Sequence, residues 1–173
     1  MLDYRSYQVA PRGDPEIYGT RKFAMPRELA WQAYTKPELL KKWMLGPDGW
    51  IMSVCKVDLK VGGAYRYEWY KEKGNIIMGM GGSFLAAEPP SKLVTTEKFD
   101  ESWYPGEMTA TIEFVAEGDK TLLRQTITYD SKEGRDAVLK SPMDEGMMAG
   151  YNRLDDVLEE LLGHVKDGQA RVS

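Results

Sequence analysis

Two polar side chains fall on strand faces that otherwise read as core. The alternation Leu123, Gln125, Ile127, Tyr129 sets Gln125 among apolar partners, and Thr95, Glu97, Phe99 sets Glu97 beside an aromatic. A buried carboxylate is costly unless paired, and desolvation lifts its pKa toward the range of a general acid or base. Glu97 is therefore the candidate acid/base or ligand anchor, and Gln125 a candidate ligand contact. A one-residue slip in register returns either side chain to solvent, and parity alone does not decide. The default is solvent for Glu97 and the interior for Gln125. Acid–base chemistry would need Glu97, Asp58 or Glu68 to converge on a cavity.

The remaining candidates are rings, thioethers and glycines. Tyr65, Tyr67 and Trp69 share one face of a strand, and Trp43 and Trp50 flank the loop Gly46-Pro47-Asp48-Gly49. Their default role is the wall of a core; the alternative is contact with a ligand, with tyrosine hydroxyls orienting its polar end. The chain has ten methionines, and Met143 and Met147 lie on the last predicted helix. Thioethers adapt to irregular cavities and to gaps in ordinary cores alike. Gly146 and Gly150 lie one turn apart on the same helix, where each glycine costs about 0.5–1 kcal/mol relative to alanine. Close helix packing or room for a bound molecule would compensate.

Much other chemistry is excluded. The only cysteine is Cys55 and the only histidine is His164, so the chain carries no Cys/His zinc cluster, no HExxH, no nucleophile–histidine pair with a plausible core base and no internal disulfide. No phosphate-binding glycine motif is present, and Met78-Gly-Met-Gly-Gly-Ser-Phe84 lies within a strand pattern. No cofactor is expected. A net charge of −4 without a basic cluster argues against nucleic-acid binding. The apolar runs are too short to span a bilayer and the first residues lack a signal-peptide core, so a cytoplasmic protein is expected.

The elements that must position these residues follow from periodicity. Residues 1–15 read as an extended arm, 16–163 as one domain and 164–173 as a tail with a solvated His164. A strand is predicted over Glu16–Ala24 and a short helix over Arg27–Tyr34. A second helix begins at Thr35-Lys36-Pro37-Glu38, which resembles a capping box, and carries Leu39, Leu40, Trp43 and Met44. From Trp50 the period becomes two, with strands at Ile51–Leu59, Ala64–Tyr70, Ile76–Ala87, Lys92–Phe99, Glu107–Ala116 and Thr121–Tyr129. Connectors such as Lys73-Gly74-Asn75 and Tyr104-Pro105-Gly106 are too short for parallel crossovers, so the sheet is an antiparallel meander. Ser131 caps a segment ending near Lys140, and Ser141-Pro142 starts the last helix. Met143, Met147, Tyr151, Leu154, Leu158 and Leu161 form its apolar stripe, with Asp155, Asp156, Glu159 and Glu160 largely covering the other side. Sheet and helix each have one apolar face to bury against the other.

This order, together with local motifs, resembles the START-like SRPBCC superfamily with its helix-grip fold. The closest likeness is to the family named for homologues of the activator of heat-shock-protein-90 ATPase. The matching segments are Tyr34-Thr-Lys-Pro-Glu-Leu-Leu-Lys-Lys-Trp43, Gly46-Pro-Asp-Gly49, Val57-Asp-Leu-Lys-Val-Gly-Gly-Ala-Tyr-Arg-Tyr67, Glu88-Pro-Pro-Ser-Lys-Leu93, Met143-Asp-Glu-Gly146 and Leu154-Asp-Asp-Val-Leu158. They extend over roughly residues 16–162. The chain departs from the family's pattern at Met44, at Leu93–Phe99 and at Met147, each time with something smaller or more flexible than the usual ring.

The resemblance implies an α+β helix-grip domain: a curved antiparallel sheet of six or seven strands around a long C-terminal helix, with two short helices after the first strand. It also implies a small apolar or amphipathic molecule held between sheet and helix, contacted by Trp43, Trp50, Tyr65, Tyr67, Trp69, Gln125, Met143, Met147, Gly150 and Tyr151. Binding without catalysis is the leading expectation. A cyclase or hydrolase using a buried carboxylate and tyrosines is the alternative, and a chaperone-ATPase-interacting module, suggested by the family name alone, is a third. Self-association as a homodimer is left open.

Overall fold

In a computed structural model, residues 6–102, 104 and 106–172 are described. Residues 1–5 of the expected arm, Pro105 of a predicted connector and Ser173 of the expected tail lie outside them. The elements in chain order are β1 (Gln8–Arg12), β2 (Glu16–Phe23), α1 (Arg27–Thr35), α2 (Pro37–Trp43), β3 (Trp50–Val57), β4 (Ala64–Lys71), β5 (Ile76–Glu88), β6 (Lys92–Phe99), β7 (Met108–Glu117), β8 (Lys120–Thr128), α3 (Lys132–Leu139) and α4 (Met143–Val172). One antiparallel sheet contains all eight strands in the order β1-β2-β8-β7-β6-β5-β4-β3.

The sheet therefore has one strand more than the six or seven expected. Gln8–Arg12 is not an arm outside the domain but the edge strand, paired with Glu16–Thr20. Tyr7 explains why it docks: its buried ring lies over Gly19, where an alanine Cβ would overlap it, and its hydroxyl donates to Gln125 Oε1 at 3.0 Å. Register shifts at Met52/Val54 and Phe84/Ala86 place irregularities in β3 and β5. Such bulges bend strands and increase the local twist, which lets a wide sheet curve around a helix.

Two local expectations fail. Thr35 does not cap α2: it ends α1, and its hydroxyl donates to the Trp31 carbonyl at 2.8 Å. The α2 cap position is Lys36, with Pro37 at the start of the helix, where a missing N–H is harmless. The helix expected to stop at Gly163 continues to Val172, carrying an exposed His164 on its surface. By contrast Ser131 caps α3 as expected, accepting from the Gly134 N–H at 3.0 Å.

The long helix α4 is held chiefly by α1 and α2 and by long side chains from the sheet. Tyr151 meets the rings of Tyr7 and Phe23 edge-on and stacks on Trp43. Arg21, 1% exposed, reaches from β2 to Asp155 at 2.6 Å, with Met148 Sδ at 3.2 Å. Asp155 thus turns inward, away from the acidic outer side expected of it. Gly150 abuts α2: a Cβ there would lie 3.4 Å from the Trp43 carbonyl, which is tight packing.

Candidate functional site

The inward faces of the strands run in rows across the sheet. Tyr65, Tyr67 and Trp69 of β4, Met80 and Phe84 of β5, Met108, Ala110 and Phe114 of β7, and Leu123, Gln125 and Ile127 of β8 are all buried. Strand β6 lies between these neighbours, near the middle of the sheet. Its inward residues Thr95, Glu97 and Phe99 nevertheless remain only half-buried, as does Ile112 beside them on β7. On α4, Gly146, Met147 and Met148 are also half-buried. A central strand ought to be among the most occluded parts of its sheet. The buried side chains also separate into two clusters. The larger runs from Tyr7 through the tryptophans to Leu158; the smaller comprises Ile17, Tyr104, Met108, Ile127, Tyr129 and Val138.

Glu97 sits in this region. It faces inward, contrary to the default read from sequence, because β6 pairs Glu97 with Met108 and keeps Leu93 and Glu97 on one face. On the other side of β6, Gly82 allows β5 to close on Thr96: a Cβ there would collide with the Thr96 carbonyl. That carbonyl accepts the Tyr65 hydroxyl at 2.6 Å, so the phenol tip lies at the peptide bond leading to Glu97. Across the register, the Tyr104 hydroxyl donates to Met108 Sδ at 3.4 Å. Burial drives the Glu97 carboxyl up from an ordinary 4.5 to about 7, and a hydrogen bond from the Thr95 side chain acts in the other direction.

Six tyrosines feel the Glu97 charge: Tyr34, Tyr65, Tyr67, Tyr104, Tyr129 and Tyr151. Each phenol is pushed up, in every case first by burial. Their hydroxyls differ in partners. Tyr34 donates to the Tyr151 oxygen at 3.3 Å, whereas Tyr67 and Tyr129 make no hydrogen bond among the described residues. Neither of those free hydroxyls is sealed from solvent, although both rings are buried. Buried rings with unsealed, unpaired tips are what the wall of a wet or ligand-filled space presents.

The other sequence candidates separate by position. Gln125 is buried as expected, but Tyr7 takes its oxygen, leaving the amide nitrogen as its free end. Tyr151 is fully buried core. Trp43 and Trp69 have their indole N–H groups committed to the carbonyls of Ala33 (2.9 Å) and Met44 (2.7 Å), which makes them framework. Trp50 lies at the start of the edge strand β3 with the Lys71 ammonium over its ring. Met143 packs on the smaller cluster and Met147 on the larger, one at each side of the division. Gly150 faces Trp43 instead of the sheet. Of the three carboxylates weighed for catalysis, only Glu97 turns inward. Glu68 pairs with Arg66 on the outer face, and Asp58 pairs with Lys60 in the β3–β4 turn. Cys55 is half-buried, its thiol raised by burial.

Arg21, Tyr7 and Tyr34 belong to the site's framework without standing out in the sequence. The alternation Ile17, Gly19, Arg21, Phe23 carries the signal for Arg21, since it puts the guanidinium on the core face. Tyr7 and Val9 alternate likewise, but a five-residue strand that contains Pro11 and stops before Gly13 is a weak pattern.

Among the described residues no group of three His, Cys, Asp or Glu stands close enough to hold a metal ion, and no helix is long and apolar enough to cross a membrane. The profile of the activator of Hsp90 ATPase homolog 1-like proteins matches residues 24–159, most of the chain. The chain belongs to this family. A protein from Rhodobacter sphaeroides of known crystal structure is 32% identical, with 90% of this chain and 99% of that one aligned at a TM-score of 0.84. A second, from Chromobacterium violaceum, is 25% identical over 83% of this chain and 96% of that one, at 0.74. CalU16 from Micromonospora echinospora, 19% identical and covering 96% of this chain and 94% of that one, shares the fold at 0.61. No curated protein matches in sequence. Family and fold together make this an α+β, START-like helix-grip domain of the ligand-binding type.

Proposed function

We propose that the protein binds a small amphipathic molecule in a cavity between the central strands and α4, without transforming it. The observation that carries this is that Thr95, Glu97 and Phe99 on the inward face of the central strand β6 stay half-buried while Met80, Phe84, Met108, Ala110 and Phe114 on the flanking strands are buried. The ligand's apolar body would lie along Phe99, Ile112 and Met147, and its polar end would meet Glu97 and the Tyr67 hydroxyl. Extraction of the purified protein with organic solvent, followed by mass spectrometry, tests the reading. A stoichiometric small molecule supports it. A crystal structure in which side chains fill the space beside β6 would overturn it.

A second reading makes Glu97 a general acid or base in a cyclase or hydrolase. A carboxyl held near neutrality among tyrosine hydroxyls favours it, because proton transfer is best served by a group whose pKa lies near the working pH. Incubating candidate substrates with the wild type and with Glu97→Gln separates the two readings: product that depends on Glu97 supports catalysis. Interaction with a chaperone ATPase, the third expectation, has the family name as its only support. An ATPase rate unchanged by stoichiometric addition of the protein would dispose of it.

A further inference from the structure

We infer that the cavity is built for an organic cation, an amphiphile whose amine or quaternary ammonium end pairs with Glu97. This rests on the binding reading above and names the class of its ligand. Three observations carry it.

The first is charge. None of the ion pairs among the described residues includes Glu97. The cations buried near the interior are already engaged. Arg21 is bound to Asp155, and Arg135 is held by Asp136 and by the carbonyls of Gly13 and Glu16. A half-buried, inward-facing carboxylate without a cation is an incomplete pair, and an ammonium group supplied from outside would complete it.

The second is the surround. Tyr65 donates to the Thr96 carbonyl next to Glu97 and has its ring 4.9 Å from that of Tyr67, while Tyr104 reaches Met108, the register partner of Glu97, and meets Tyr129 edge-on. Aromatic faces attract organic cations and give anions nothing comparable. The third is access: Glu97 is only half-buried and the Tyr67 hydroxyl is unsealed, so an incoming group can reach both. An anionic headgroup would meet like charge with no cation to offset it.

The test is calorimetric titration of the full chain with octylammonium, octan-1-ol and octanoate, which share one tail. At a pH of about 7.5 octylammonium should bind at least about tenfold more tightly than octanol, and octanoate most weakly. Lowering the pH from about 8 to about 5 should weaken octylammonium and leave octanol unchanged. The alkylamine is protonated throughout that range, like a lysine, and the surrounding phenols are all pushed above their ordinary 10, so Glu97 is the group that titrates. Glu107, next along from Tyr104 toward β7, is exposed. Glu97→Gln should remove the preference while keeping octanol binding, which also reports that the variant is folded, and Glu97→Asp should retain it. Octanol binding as tightly as octylammonium, or a preference surviving in Glu97→Gln, overturns the cation inference and leaves the binding reading standing. Failure of all three probes to bind overturns both.

Discussion

An enclosed carboxyl is a stability liability whose size depends on pH, and Glu97 offers a clean measurement of it. Its folded pKa is raised, so the folded state resists ionisation that the unfolded chain undergoes freely near 4.5. Below that value both states are protonated and the residue has no pH-dependent effect. Between about 4.5 and about 7 the unfolded state releases its proton first and the wild type loses stability, with the loss complete above about 7. At about 1.4 kcal/mol per decade the full effect is about 3.4 kcal/mol, and access of water to the carboxylate reduces it to about 2. Glu97→Gln should therefore match the wild type in urea denaturation at acid pH and exceed it by about 2 kcal/mol at pH 8. Equal midpoints across the range would show that the carboxyl is solvated. At this scale the sequence was informative in kind and ambiguous in sign. Alternation put Gln125 and Glu97 on core faces, but only the pairing of Glu97 with Met108 fixes the direction of β6. Tyr7 was illegible as a partner for Gln125, since the two are 118 residues apart.

Among elements, α4 carries two glycines with opposite surroundings. A Cβ at Gly146 meets nothing within 4 Å, whereas one at Gly150 lies 3.4 Å from the Trp43 carbonyl. Gly146→Ala should stabilise by about 0.5–1 kcal/mol through helix propensity, and Gly150→Ala should gain less or lose, both read from thermal midpoints. The same helix is tied to β2 by Arg21 and Asp155, whose side chains are 0% and 20% exposed. Asp155→Ala leaves the guanidinium enclosed without its anion and should cost about 3 kcal/mol in chemical denaturation. The double variant Arg21→Met, Asp155→Leu should recover much of that loss, because it removes both charges together. Strands β4 to β7 were legible because each has a run of alternating residues followed by a glycine or proline turn, and β8 because its run ends at the Ser131 cap of α3. The edge strand β1 was not: its five residues acquire strand character from Gly19 and Gln125, which lie elsewhere in the chain. The failed cap at Thr35 has a similar origin, since a hydroxyl at the end of α1 can satisfy its own helix first.

For the whole molecule, any ligand that enters beside β6 binds the folded chain alone and must stabilise it. At a hundred times its dissociation constant the gain is about 2.7 kcal/mol, which a thermal-shift assay with octylammonium would register as a rise of several degrees. No rise at saturating ligand would show that octylammonium does not bind the folded chain in preference to the unfolded one. The fold class was readable from the order of elements, because an antiparallel meander and an amphipathic helix have few ways to bury their faces. The division of the core was not, because it depends on which side chains fail to meet. The sheet also has a seam: β2 joins β8, so Glu16 lies beside Thr128, 112 residues later. During synthesis β3 to β7 can pair in turn as they emerge, but β1 and β2 have no sheet to join until β8 arrives. At about 5–20 residues per second, Phe23 and Tyr7 wait roughly 5–20 s before their places exist. A ribosome stalled before β8 would therefore hold a nascent chain with those rings uncovered, open to whatever holdase meets it first.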